Sequence, residues 1–367
     1  MRKNIICLFI GLFLSFIILE IILALFNPLA FRVRKNRIFL PAKRKYHFIN
    51  NYFPELDKEI YHTKNSLGFR GPELPKDFAD KLSIITVGGS TTECYYLNDD
   101  KTWPDLLAQK LNNYYKDIWL NNAGLDGHST FGHAILLADY LIKLKPKIIL
   151  FLIGANDVER GDLNSYDKKF ALKEKQINVI NEIAKRSEVV STIVNILSDL
   201  RARRRLLYHG EMKLSNPEFL EISSSRIEKE LQAQKERYSE GYRQRILRLI
   251  NISMAGGITP VFITQPALFG EGIDRSTGVN LETIKVAEAR NGKLSWEILQ
   301  SYNNVLREVC KSNNCALIDL AVLIPKDSLY FYDWYHFTNA GSERVADILC
   351  NELRGYLDEK YPGFIKR

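Results

Sequence analysis

Four short blocks of sequence hold residues whose types and spacing could carry chemistry. Ser90 follows two glycines in Gly88-Gly89-Ser90-Thr91-Thr92-Glu93, and a serine in such a turn becomes a nucleophile once a base takes its proton. The same fragment also fits a capping box, with Ser90 capping a helix and Glu93 reaching back to the Ser90 N–H. Asp333 and His336 stand three residues apart near the C-terminus. One turn of chain can bring that carboxylate to one imidazole nitrogen, leaving the other to accept the serine proton. Gly127, in Gly124-Leu125-Asp126-Gly127-His128, could offer an unobstructed backbone N–H to a developing oxyanion, and Asn156, in Gly154-Ala155-Asn156-Asp157, a side-chain amide. The Ser90 N–H would complete that set. His128 is a second candidate base, although its loop position reads more simply as a surface histidine. Each block alone has an ordinary structural explanation as a cap, a tight turn or an Asx turn. Together they supply nucleophile, base, orienting carboxylate and oxyanion donors, the roles acyl transfer requires.

The elements around these blocks decide whether they can meet. Short apolar runs at 82–87, 118–121, 148–153, 260–264 and 316–318 read as five strands. Helix-like stretches at 103–115, 131–144 and 342–357 lie between or after them. Aliphatic strands each followed by a helix predict an α/β fold of three layers, α/β/α, around a five-stranded parallel sheet. Ligands bind such sheets at the carboxyl ends of the strands, where Ser90, Gly127 and Asn156 all fall. The expected organisation is a membrane anchor with a basic juxtamembrane segment over 1–45, a lead-in segment over 46–80 and a catalytic domain over 81–360. A helical insertion of about 160–240 interrupts that domain. It is rich in Lys, Arg, Glu and Ser, with an amphipathic section at 189–207 that includes Arg201, Arg203, Arg204 and Arg205. The insertion reads as helices with a solvated basic face, or as a flap lying on a membrane or over the site.

The formal net charge of +8 is not spread over the chain. Residues 1–45 hold nine Lys and Arg against Glu20 alone, which leaves 42 basic and 42 acidic residues in 46–367. A neutral body removes the main support for nucleic-acid binding. The basic residues instead flank an apolar run at 5–26, about 33 Å long as a helix, enough to cross a bilayer core of roughly 30 Å. That run exceeds the apolar core of a cleaved signal peptide and no clean small-x-small site follows it, so the expectation is an uncleaved single-pass anchor. The seven bases after the run favour a cytoplasmic body by the positive-inside count. A short basic N-terminus leading into a long apolar run is also how an export anchor begins, and the expectation carried forward is an extracytoplasmic catalytic domain. The five cysteines form no metal-binding pattern, and Cys310 and Cys315 are either a small disulfide loop or two structural thiols.

The combination of blocks resembles the SGNH/GDSL hydrolase superfamily. Its Gly-x-Ser block is matched by Gly88-Gly89-Ser90, its second-block glycine by Gly127, its Gly-x-Asn-Asp block by Gly154–Asp157, and its Asp-x-x-His block by Asp333-Trp334-Tyr335-His336. The segment Asn65-Ser66-Leu67-Gly68-Phe69-Arg70-Gly71 is similar to one in membrane-anchored bacterial members. The Asp that precedes Ser in Gly-Asp-Ser-Leu is absent here, as in many carbohydrate-directed relatives. The resemblance implies a flavodoxin-like sheet and a serine esterase that forms an acyl-Ser90 intermediate with His336 as base. The implied substrate is a small-molecule or glycan ester of an acetyl or short acyl group, and no cofactor or metal is implied. An O-acyltransferase using the same site, and a catalytically inactive module on a membrane stalk, are the competing readings. Tyr95, Tyr96, Trp334 and Tyr335 lie near the blocks, where they could stack on sugar rings or simply pack.

Overall fold

The computed structural model describes residues 2–26, 40–160 and 214–366, with residues 33–34, 37–38, 183, 187–193, 196 and 212 between them. The chain divides into two compact units, residues 1–41 with 168–208, and residues 42–167 with 209–367.

In the first unit, α1 (Arg2–Leu25) is apolar all round and contains no proline. Its segment Ile6–Leu25 has a mean hydropathy of 2.9 and is long and apolar enough to cross a membrane, close to the 5–26 expected. Glu20 is the one charged residue within it. Its carboxylate accepts from Ser187 Oγ at 2.9 Å, Glu188 N at 2.5 Å and Val189 N at 3.0 Å. Those donors offset much of the cost of holding a carboxylate in an apolar helix. Of the amphipathic section expected at 189–207, only 189–193 and 196 are described; the arginines from 201 to 205 lie outside the described residues.

The second unit is built on five parallel strands: β3 (Leu82–Gly88), β4 (Ile118–Asn122), β5 (Ile148–Ile153), β6 (Thr259–Thr264) and β7 (Ala316–Ile318). Their spatial order is β7-β6-β5-β3-β4, the flavodoxin-like arrangement. β3 and β5 are buried at every position, which is why they read as continuous apolar runs with no alternation. β3 is the first strand of the sheet and lies between β5 and β4, so successive connections leave it in opposite directions. Right-handed crossovers then put their helices on opposite faces and open a crevice at the carboxyl end of β3. On one face α3 (Trp103–Leu111) packs with α8 (Asn339–Lys360); on the other α4 (Thr130–Leu136), α6 (Glu240–Ala255) and α7 (Gly292–Ser312) pack together.

Several elements differ from expectation. The helix expected at 131–144 is interrupted by a wider, π-type turn at Leu137–Leu141. The helix expected at 103–115 ends at Leu111; Thr102 caps its start by accepting from Asp105 N, and Pro104 occupies its first turn. The C-terminal helix begins at Asn339, three residues earlier than expected, because Thr338 Oγ1 accepts from Gly341 N at 3.0 Å. The stretch 46–80 contains an antiparallel pair, β1 (Arg44–Ile49) with β2 (Glu59–Lys64), in register at Tyr46 and His62. A nine-residue connection, rather than a two-residue turn, joins them, so no short hairpin signal marks the pair. Within the insertion, the described residues hold α5 (Ser224–Gln234), which runs through a second wide turn into α6. Cys310 and Cys315 are free thiols.

Candidate active site

Ser90 begins α2 (Ser90–Glu93), immediately past the carboxyl end of β3. Its Oγ lies 2.7 Å from His336 Nε2, and His336 Nδ1 lies 2.6 Å from Asp333 Oδ2. An ionised carboxylate can only accept, so Nδ1 carries the hydrogen and Nε2 is free to accept from the Ser90 hydroxyl. Asp333 Oδ1 in turn accepts from Tyr335 N at 2.9 Å and His336 N at 2.8 Å. The carboxylate is thus tied to the loop that carries the imidazole, and its side chain is only 6% exposed. The ring of Tyr332, buried, stacks on the imidazole at 5.6 Å and 17°. Sequence reasoning put Ser90 at the sheet edge and paired Asp333 with His336 by their spacing, and the fold joins the three in a hydrogen-bonded row.

The capping box expected for Ser90 and Glu93 does not form. Gly89 precedes the first turn with no side-chain cap, and the Ser90 hydroxyl is turned to His336. The Glu93 carboxylate reaches away from its own helix to Asp126 N at 2.6 Å and to Lys64 Nζ at 3.0 Å. A tertiary ion pair outcompetes the local bond.

Asn156 follows β5 in a short 3-10 turn (Ala155–Asp157). Its Nδ2 lies 2.2 Å from where a Cβ on Gly89 would stand. Only glycine at 89 lets that amide approach the peptide that carries the Ser90 N–H. Gly127 has φ +73°, in the left-handed region that favours glycine. Three side chains not singled out from sequence hold these turns. Asp157, beside Asn156, accepts from Thr130 Oγ1 at 2.5 Å and Thr130 N at 3.2 Å. Arg245 of α6 donates to Thr130 Oγ1 at 2.8 Å and reaches Asp157 Oδ1 at 3.4 Å, with both side chains of that pair buried. Arg70 donates to the carbonyls of Glu93, Cys94 and Leu97 at 2.6–2.9 Å and to Asp99 Oδ1 at 2.7 Å. It thereby fixes the end of α2, where Cys94 adopts φ +53°. The signal for Arg70 was its place in the 65–71 segment, where Asn65 ties the turn by accepting from Leu67 N and Phe69 N. Nothing local marked Arg245, which lies 115 residues from Thr130.

His128 is buried, at 4% exposure, not at the surface, because its N–H closes a turn onto the Leu125 carbonyl and directs the ring inward. It stands 6.3 Å from the buried His133 ring, whose pKa is pushed well below the usual value by burial. Tyr95 and Tyr96 line a cavity of about 520 Å³ with Tyr46, Phe48, Tyr52 and Asn50. Aromatic contacts run from that wall to the imidazole: Tyr96 lies 6.5 Å from Tyr332, which covers His336. Trp334 and Tyr335 instead pack against Phe269 at 6.2 and 5.2 Å, in a cluster with Ala267 and Leu299.

Residues 86–344, which include Ser90, Gly127, Asn156, Asp333 and His336, match the model of the GDSL-like lipase/acylhydrolase family. The chain belongs to this family. Among curated proteins it is similar to an arylesterase of Vibrio mimicus, 30% identical over 78 residues, or 21% of this chain. That match spans 39% of the arylesterase's own length. Solved structures similar to this GDSL-like chain include an esterase of a Pseudoalteromonas species, at 14% identity and TM-score 0.39, covering 76% of this chain and all of that one. Another is an acetyl xylan esterase, at 17% identity and TM-score 0.39, covering 73% and 98%.

Proposed function

We propose that the protein is a serine esterase that cleaves a carboxylic ester through an acyl-Ser90 intermediate. The observation that carries this is the continuous row from Asp333 Oδ2 through both nitrogens of His336 to Ser90 Oγ. Ser90 Oγ attacks the ester carbonyl while its proton passes to His336 Nε2. The tetrahedral oxyanion is met by the Ser90 and Gly127 N–H groups and the Asn156 amide. Collapse expels the alcohol, which takes the proton from Nε2 and leaves acyl-Ser90. Water, deprotonated by the same nitrogen, then releases the acid. Asp333 holds the tautomer and balances the imidazolium charge in both halves. An inert binding module would have no need of this row. The family and the partial likeness to an arylesterase support the same reaction.

The substrate we propose is a carbohydrate bearing an acetyl or short acyl ester. The aromatic cavity that Tyr96 and Tyr332 connect to His336 supports this. Among the described residues its wall holds the rings of Tyr46, Phe48, Tyr52, Tyr95 and Tyr96 beside the polar Lys45, His47 and Asn50, a lining suited to stacking and hydrogen-bonding a sugar. We also propose that α1 is a retained anchor in the membrane and that the catalytic unit lies outside the cytoplasm. The three bonds that tie Glu20 to Ser187–Val189 support retention, since cleavage after the apolar run would strip them away.

Labelling with a fluorophosphonate probe tests the nucleophile. The wild-type protein is expected to label and Ser90→Ala not to; a folded wild type that stays unlabelled overturns the reading. Hydrolysis of acetylated oligosaccharides against long-chain acyl esters tests the substrate class. Protease accessibility in intact cells tests the side of the membrane.

A further inference from the structure

Glu93 and Lys64 form an ion pair at 3.0 Å with side chains only 1% and 2% exposed. Such a pair adds little net stability, because desolvating both ions offsets their attraction. What it does add is position. Glu93 closes the short turn that begins with Ser90, so its carboxylate and the Ser90 N–H belong to one rigid piece, braced from below by Arg70. The carboxylate's second oxygen accepts from Asp126 N, the peptide immediately before Gly127, at 2.6 Å. That is a short, charge-assisted bond. The base of this loop is held to β3, where Leu125 N donates to the Gly88 carbonyl at 3.1 Å, and Glu93 grips its exposed tip at Asp126, next to Gly127. The Lys64 ammonium, from the end of β2, lies 3.0 Å from Oε1 while Oε2 faces the loop.

We infer that the Lys64–Glu93 pair is a clamp that sets the spacing between the Ser90 and Gly127 oxyanion donors. Lys64 and Glu93 are positioning residues; neither touches the reacting atoms. The assignment rests on the oxyanion roles proposed above. It also explains why a carboxylate stands at 93: a neutral side chain could accept from Asp126 N, but Lys64 would not hold its orientation.

The test uses the full-length protein in detergent, with kinetics on 4-nitrophenyl acetate and hydrogen exchange of the peptide spanning 123–130. Glu93→Ala is expected to lower kcat by about 100-fold, approaching the loss of one oxyanion donor, with KM within twofold. Exchange in 123–130 is expected to quicken by tenfold or more, while the strands of the sheet keep their protection. Lys64→Met and Glu93→Gln should each lower kcat by about tenfold, and Lys64→Arg should restore most of it. The double variant Lys64→Met/Glu93→Gln separates position from burial. With no buried charge left unpaired, its melting temperature should return toward wild type while kcat stays low. Folded single variants with kcat within twofold of wild type, or a double variant with full kcat, overturn the clamp. Unchanged exchange in 123–130 also overturns it, and that readout holds even if the wild type shows no fluorophosphonate labelling and the esterase reading falls on its own.

Discussion

Replacing Asp157 by Asn is the sharpest test of how the proposed oxyanion turns are held. Asp157 and Arg245 have side chains 1% and 4% exposed, with oxygen and nitrogen 3.4 Å apart. At an effective dielectric of about 20, that separation corresponds to roughly 5 kcal/mol of attraction. Losing one member of a buried pair costs about 3–5 kcal/mol, because the other charge is stranded. Asparagine keeps the shape, and its carbonyl can still accept from Thr130 Oγ1, so the lower end applies, about 3 kcal/mol. For a unit of this size the melting temperature should fall by about 5 °C. Activity should fall with it, by about tenfold in kcat/KM, because Thr130 follows the Gly127 turn and Asp157 follows Asn156. The companion is Asp157→Asn/Arg245→Met. With no stranded guanidinium, it should recover most of the lost stability, less the contact that Arg245 makes with the Phe131 ring at 4.5 Å. Thermal and urea unfolding of the four proteins measure the cycle. A single-variant loss below about 1 kcal/mol, or a double variant no more stable than Asp157→Asn, refutes the reasoning.

Asp333→Asn should preserve the fold while lowering kcat by about 10⁴, since the amide permits the wrong imidazole tautomer; steady-state kinetics beside a circular-dichroism spectrum will show it. Asn156→Ala should cost about 10²–10³ in kcat with KM little changed, as expected when a donor acts only in the transition state. His62 supplies a pH test. Burial, helped by the charges of Arg70 and Lys64, pushes its pKa down to about 2, against about 6.5 in an unfolded chain. Between those values the unfolded chain binds one more proton, so stability falls as pH drops below 6.5. By pH 4.5 this amounts to about 3 kcal/mol. His62→Gln should therefore narrow the gap between melting temperatures at pH 7 and pH 4.5, and an unchanged gap shows that His62 does not drive the acid response.

What could be read from sequence and what could not divide along a physical line. Strands buried on both faces announce themselves as apolar runs, and residues just past their carboxyl ends must share one edge of a parallel sheet. Ser90, Gly127 and Asn156 were legible for that reason, and Asp333 with His336 because one turn of chain joins them. The contacts that hold those groups in place were not legible, even where Asp157 and Arg70 stood inside recognised segments, because their partners are distant. Arg245 meets Thr130 across 115 residues, and Arg70 meets the end of α2 across 23 and more. Glu93 shows how local reasoning fails even beside the candidate site. Three residues from Ser90, it has the spacing of a capping box, worth about 1 kcal/mol at a helix end. Yet Lys64, brought there by a β pair that no turn motif announced, offers the carboxylate a buried positive charge at 3.0 Å. Once buried, a carboxylate without that charge costs several kcal/mol, so the ion pair decides its orientation and the cap is given up. The same choice frees the Ser90 hydroxyl from capping duty and leaves it to His336. A sequence pattern that argued for a structural serine thus becomes, in the fold, part of what leaves the Ser90 hydroxyl to His336 and to the nucleophilic role proposed for it.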